Sequence, residues 1–296
     1  MGDNVPGATT GIHAADTADV PWPNPPPATR SIERGRRIPR DKILVALEIV
    51  VIIAVWQYAQ GVIEVFPRIW LPPPSEIFET LLVIVEPGYA VNRSADLYGH
   101  AWSSLSIFFI GFSLATVIGI PFGLFIGSWF PAQKLIAPLV WALYAMPLIA
   151  IRPMTPFWFG LGNGPIIFLV FLAALLPITL NTAAGVNTVD PVLKKSAKVF
   201  GASKLQTYRT VVLPSTVPFI LTGLRLGIII GWIILLVSEM TGAPRGFGAI
   251  AALALSRFNG ALAFSGIIVL VIISVLMVQA IGILENRVSS WRPRHD

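Results

Sequence analysis

The chain has 296 residues, of which 55% are hydrophobic and only 12% charged, and its mean hydropathy is +0.75. Soluble domains carry roughly 25% charged residues, so the composition excludes an ordinary water-solvated globule. There is no cysteine, which excludes disulfides, thiolate metal sites and cysteine catalysis. The net charge of +6 lies mostly in loops, where it reports membrane topology rather than a nucleic-acid partner.

Residues 1–41 contain a proline-rich stretch (21–27), a basic stretch (30–40) and no apolar run. They read as a disordered cytoplasmic leader rather than a signal peptide. The windows 105–130, 165–189 and 261–284 contain no Asp, Glu, Lys or Arg, and each exceeds the ~20 residues that span hydrocarbon. Isolated strands cannot satisfy their backbone in lipid, so the expected class is an all-α integral membrane protein. Six transmembrane helices are predicted, at about 42–60, 100–129, 134–151, 165–187, 217–240 and 262–285. The third is short and flanked by Pro138, Pro147 and Pro153, which predicts a kink or tilt. A first helix (42–60), an outer segment (61–99), a five-helix core (100–287) and a tail (288–296) complete the expected organisation.

With the N-terminus inside, the cytoplasmic side receives fifteen Lys and Arg residues and the opposite side five (Arg68, Arg93, Arg152, Arg245 and Arg257), with Arg225 within the fifth span. This bias places both termini in the cytoplasm. In the outer segment, Ser75 is expected to cap a short helix with Ile77, Phe78, Leu81 and Leu82 on one face, lying along the interface near Trp70. Gly119, Gly123 and Gly127 form a small-xxx-small series in the second span. It serves either packing within the monomer or a dimer seam.

The loop 190–214 is the polar exception. Asp190-Pro191 starts a helix, Leu193, Ala197 and Phe200 share one face, and Gly201 stops it. Ser203 and Gln206 form a capping box for a second helix, with Leu205, Tyr208 and Val212 as its apolar stripe and Pro214 as its expected end. Such a helix–Gly–helix is either an amphipathic hairpin on anionic lipid or a docking element for a cytoplasmic partner.

The segment KSAKVFGASKLQTYRTVVLP resembles the EAA loop of ABC importer permeases. Lys195, Ser196, Ala197, Gly201, Val211, Leu213 and Pro214 stand at the motif positions, with Lys195 and Ser196 departing from the family's Glu and Ala. YAMPLIAIRPMTPFWFGLG, LPSTVPFILTGLRLG and VSEMTGAPRGFG are similar to the nitrate/sulfonate/taurine branch, and the likeness covers roughly residues 67–292. The resemblance implies a type I ABC importer permease fold and a homodimer in the bacterial inner membrane. It also implies two cytoplasmic ATPase subunits, which bind ATP and Mg and receive the EAA coupling helices, and an extracytoplasmic substrate-binding protein. Lys195, Ser196, Ala197, Gly201, Leu205, Leu213 and Pro214 are then the docking residues.

The chain contains no G-x-x-x-x-G-K-[ST] run and hence no phosphate-cradling loop of its own. No catalytic residues, cofactor or metal are expected, and His13, His100 and His295 read as structural or incidental. Ionisable residues inside a membrane are costly and so are functional candidates. Arg152 and Glu239 are placed near the outer mouth, paired beside an anion pathway or snorkelling to the interface. Asn181, Met146 and Trp232 are further pathway candidates or ordinary packing residues. The leading expectation is the permease subunit of an importer for a small anionic solute, against a stand-alone secondary transporter or channel.

Overall fold

The computed structural model describes residues 40–85 and 97–288. The greater part of the leader, the tripeptide Asn92-Arg93-Ser94, His13, His295 and the tail from 289 lie outside the described residues. The chain divides into two units at Val50 and Val51. Residues 43–50 of the first are helical with exposed side chains where described. Among the described residues every regular element is helical: α1 (Arg40–Gly61), α2 (Pro74–Val85), α3 (Leu97–Ser128), α4 (Phe130–Leu135), α5 (Ala137–Ala145), α6 (Thr155–Phe159), α7 (Gly164–Asn187), α8 (Pro191–Val199), α9 (Lys204–Thr207), α10 (Leu213–Met240), α11 (Phe247–Ser256) and α12 (Gly260–Val288). Among the described residues five helical stretches are long and apolar enough to cross a membrane, or six if the bent pair Phe130–Ala145 and Leu148–Phe159 is counted as one span.

That pair shows the kink expected of the third span and extends the span beyond residue 151. Its first arm ends at Ala145, and its second, Leu148–Phe159, departs at 77°. The cause is local. Pro147 disfavours helical geometry at the residue before it, and Met146 is extended, with ψ 133°. Arg152 therefore sits on the second arm, in a 3₁₀ turn.

The core of the second unit is built on α7, against which α3 and α10 pack along their lengths. Ile166, Leu169, Val170, Ala173, Ala174 and Ile178 are buried all round this helix. Lipid is as apolar as leucine, so helices associate in it by close van der Waals fit. The glycine series of α3 faces α7 within the same chain. A Cβ at Gly123 would lie 2.6 Å from both the Thr179 carbonyl oxygen and Thr182 Cβ. The close-packing alternative for Gly119, Gly123 and Gly127 is the one observed.

The segment after α1 also departs from expectation. Ser75 does not cap α2, which starts at Pro74. Instead the Ser75 hydroxyl accepts from Gln57 Nε2 (3.1 Å) and its N–H donates to Gln57 Oε1 (3.0 Å). Gln60 is buried; its amide donates to the Leu71 carbonyl, and its oxygen accepts from the Phe66 N–H. Ile77 and Ile84 are buried while Phe78 and Leu82 are exposed, because α2 packs on α12, where Ser265 Oγ donates to the Ile77 carbonyl (3.2 Å). The apolar face is thus narrower than its sequence suggests.

Overpacking a close helix crossing costs about 1–3 kcal/mol, so Gly123→Leu should lower the melting temperature of the detergent-solubilised monomer. Val117→Leu, at a 70% exposed position on the same helix, should leave it unchanged. Equal melting of both variants would mean that the α3–α7 crossing does not hold the fold.

Candidate functional site

The loop between α7 and α10 folds as its caps dictate. Asp190 caps α8 by accepting from the Val192 N–H at 2.7 Å. At the other end, Gly201 N–H donates to the Lys198 carbonyl and Ala202 N–H to the Ala197 carbonyl, both at 3.0 Å. This is a Schellman closure, which places a left-handed residue just past the helix. Gly201 has φ +80° and open space where a Cβ would stand, so backbone geometry, not crowding, requires glycine there. Ser203 and Gln206 then form both halves of a capping box on α9.

Pro214 does not end this second helix, contrary to expectation. Residues Tyr208–Val212 widen into a π turn in which the Leu213 N–H reaches back to the Tyr208 carbonyl. A proline near a helix start needs no amide donor, and the wide turn relieves the clash of its ring with the preceding carbonyls. Helix therefore runs from Lys204 to Met240, 37 residues in all. The stripe of the second helix splits. Tyr208 and Val212 pack with Leu124, Val186 and Val189, whereas Leu205 is exposed. On α8, Val192, Leu193, Val199 and Phe200 are all exposed, Phe200 at 89%. Lys195 is exposed, Ser196 and Ala197 half-buried, Leu213 half-buried and Pro214 exposed. One flank of the loop is anchored, and the other carries apolar side chains left exposed among the described residues.

Arg152 and Glu239 lie at the opposite end of α10 and do not pair. Arg152 is buried, and its Nε–H points to the Ser238 carbonyl at 3.4 Å. Glu239 is fully buried and accepts from Ser104 Oγ (2.7 and 3.0 Å) and from the Gly248 N–H (2.9 Å). His100 is buried one turn before Ser104, with Nδ1 2.9 Å from both the N and the O of Gly246. Ser104 was missed as a partner of Glu239, and His100 as a partner of the Gly246 backbone. Their i, i+4 spacing in an apolar helix was the available signal, but what they face across the fold is not written in it.

The other candidates are held by packing. Trp232 is buried, stacks on Phe108 (4.5 Å between ring centres, 9° between planes) and donates Nε1–H to Met277 Sδ at 3.2 Å. Asn181 returns its amide to the Pro177 carbonyl one turn back (2.8 Å). Met146, half-buried, marks the break in the bent span and packs against a cluster containing Val140 and Leu148.

The model of a family described as binding-protein-dependent transport system inner membrane component matches residues 119–290. The taurine transport system permease protein TauC of Escherichia coli (strain K12) is 31% identical over 241 residues, covering 81% of this chain and 86% of that protein. The putative aliphatic sulfonates transport permease protein SsuC of Bacillus subtilis (strain 168) is 30% identical over 83% of this chain and 86% of its own. The nitrate import permease protein NrtB of Leptolyngbya laminosa is 26% identical over 84% and 88%. Among solved structures, the MetNI methionine ABC transporter in its inward-facing conformations superposes with a TM-score of 0.55 at 20% identity, covering 65% of this chain and 95% of that one, which is a likeness of fold. The helix–Gly–helix loop, the membrane-spanning helices around α7 and these relatives agree: the chain belongs to the family of inner-membrane components of binding-protein-dependent transport systems.

Proposed function

We propose that this permease serves an ATP-driven importer of a small oxyanion, of the sulfonate or nitrate kind named for its relatives. The observation that carries the reading is the unpartnered apolar flank of the 190–214 loop: Val199, Phe200 and Leu205 stand exposed around a glycine-locked turn. An apolar patch set in a rigid frame suits insertion into a partner's cleft, because little ordering entropy is lost on docking. Two cytoplasmic ATPase subunits would supply that cleft and hold ATP and Mg. The fifteen-to-five distribution of Lys and Arg puts this loop and both chain ends on the cytoplasmic side of a bacterial inner membrane. A second permease copy and an extracytoplasmic binding protein complete the assembly. Nucleotide-driven closure of the ATPases moves the docked loops and switches the pathway between its two facings.

On that orientation Arg152 and Glu239 lie toward the outer mouth. Arg152 engages the protein through Nε at long range, which leaves the paired Nη donors of its planar fork for a transiting oxyanion. Glu239 is turned inward to the protein and is not offered to solute. Trp232 and Asn181 support the walls rather than line them.

Phe200→Asp and Leu205→Asp should insert normally, since neither side chain packs within the chain. Their co-purification with the ATPase subunits should fall at least about tenfold, the loss typical of an interface anchor; full retention would remove the docking reading. Charged hydrogen bonds are worth about 1.5–3 kcal/mol, so Arg152→Gln should reduce uptake of labelled taurine or nitrate by about tenfold or more, with Arg152→Lys only partly restoring it. Uptake unchanged in Arg152→Gln would take this residue out of the pathway.

A further inference from the structure

Helix α11 begins inside the protein without a cap of its own. The residue before it is Gly246, which has no side chain to offer the orphan amides of the first turn. Those amides are met from elsewhere: Phe247 N–H donates to Ser104 Oγ at 3.0 Å, and Gly248 N–H to Glu239 Oε2 at 2.9 Å. Ser104 in turn donates to the same carboxylate. The cap of α11 is therefore assembled from α3 and α10. A fully buried carboxylate is costly in a membrane protein, and here the helix N-terminus and two donors offset that cost.

The loop is shaped to admit the carboxylate. Gly246 has φ +133°, which favours glycine, and a Cβ there would overlap the Glu239 carboxylate. At Gly248 a Cβ would lie 2.6 Å from Glu239 Cβ. The preceding residue extends the junction, since the Ser238 carbonyl accepts from Arg152 on the bent arm. Two consecutive residues at one end of α10 thus bond to α3, to α11 and to the bent span. The other end of the same 37-residue helix is the second half of the coupling loop, about 55 Å away at 1.5 Å per residue.

We propose that Glu239 is a positioning residue for transport: by capping α11 and binding Ser104, it ties the far end of α10 to the mouth helices, so that displacement of the coupling loop moves them together. The proposal rests on the reading of that loop as the ATPase dock. Hydrogen bonds of this kind are directional and strong where water is excluded, and suit a junction that must transmit rather than slide.

The test compares wild type, Ser104→Ala and Glu239→Gln, each reconstituted in liposomes with its ATPase subunits and binding protein. Both variants should retain the ATPase and basal hydrolysis within about twofold, while solute moved per ATP falls about tenfold, a typical coupling loss. Ser104→Ala, which removes one hydroxyl, decides the matter if Glu239→Gln does not insert. A lowered melting temperature with solute per ATP unchanged would make the cluster a passive helix cap and overturn the proposal. Loss of the ATPase from both variants would overturn it as well, by locating their defect at the dock. A wild-type chain that recruits no ATPase overturns the functional reading itself, and with it this inference, before any variant is measured.

Discussion

The structure depends on the fit of α3 and α10 against α7. Water drives apolar surface into the core of a soluble protein, but lipid does not, so a membrane protein must gain its cohesion from contact itself. Contact is greatest where backbones approach, and the α3–α7 crossing achieves this at Gly123, where the neighbouring carbonyl of Thr179 leaves no room for a methyl group. On the other side, a Cβ at Gly223 would lie 3.1 Å from the Ile178 Cα, a tight contact. With α7 enclosed on both sides, the long helices have fixed positions from which loops and arms can be held.

That rigidity gives meaning to the continuity between the 190–214 loop and α10. A helix that stopped at Pro214 would place a hinge between the loop and the membrane, and motion of one would be absorbed before reaching the other. The π turn over Tyr208–Val212 removes the hinge while keeping the proline. Tyr208 and Val212 are meanwhile packed against the ends of α3 and α7, so the anchored flank of the loop is continuous with the core. Only the flank formed by α8 and Leu205 projects freely.

Much of this was legible in the sequence because it is local. Asp190-Pro191, Gly201 and the Ser203–Gln206 box specify caps through neighbours two to five residues away, and each appears as its chemistry dictates. The break at Met146-Pro147 has the same origin. What was not legible depends on distant partners. Ser75 has the identity of a cap, yet Gln57 claims it; Phe78 and Leu82 have the spacing of a buried face, yet α12 covers only Ile77 and Ile84. Helix α11 escaped notice because its start signal lies in Ser104 and Glu239, 143 and 9 residues from the amides they satisfy.

Arg152 and Glu239 show why depth in a membrane does not by itself define a role. Both are buried charges near one end of α10, and their matched depth suggested a pair. A pair would have neutralised both and left nothing for solute or for architecture. Separated, each charge acts alone. The carboxylate accepts from donors on α3 and α11 and is fully buried, so its hydrogen bonds are spent on joining those two helices to α10. The guanidinium meets one distant carbonyl through one of its nitrogens, and its remaining donors keep their capacity for an anion. Position puts both residues near one end of α10; what divides them is how completely the protein has already used their hydrogen bonds.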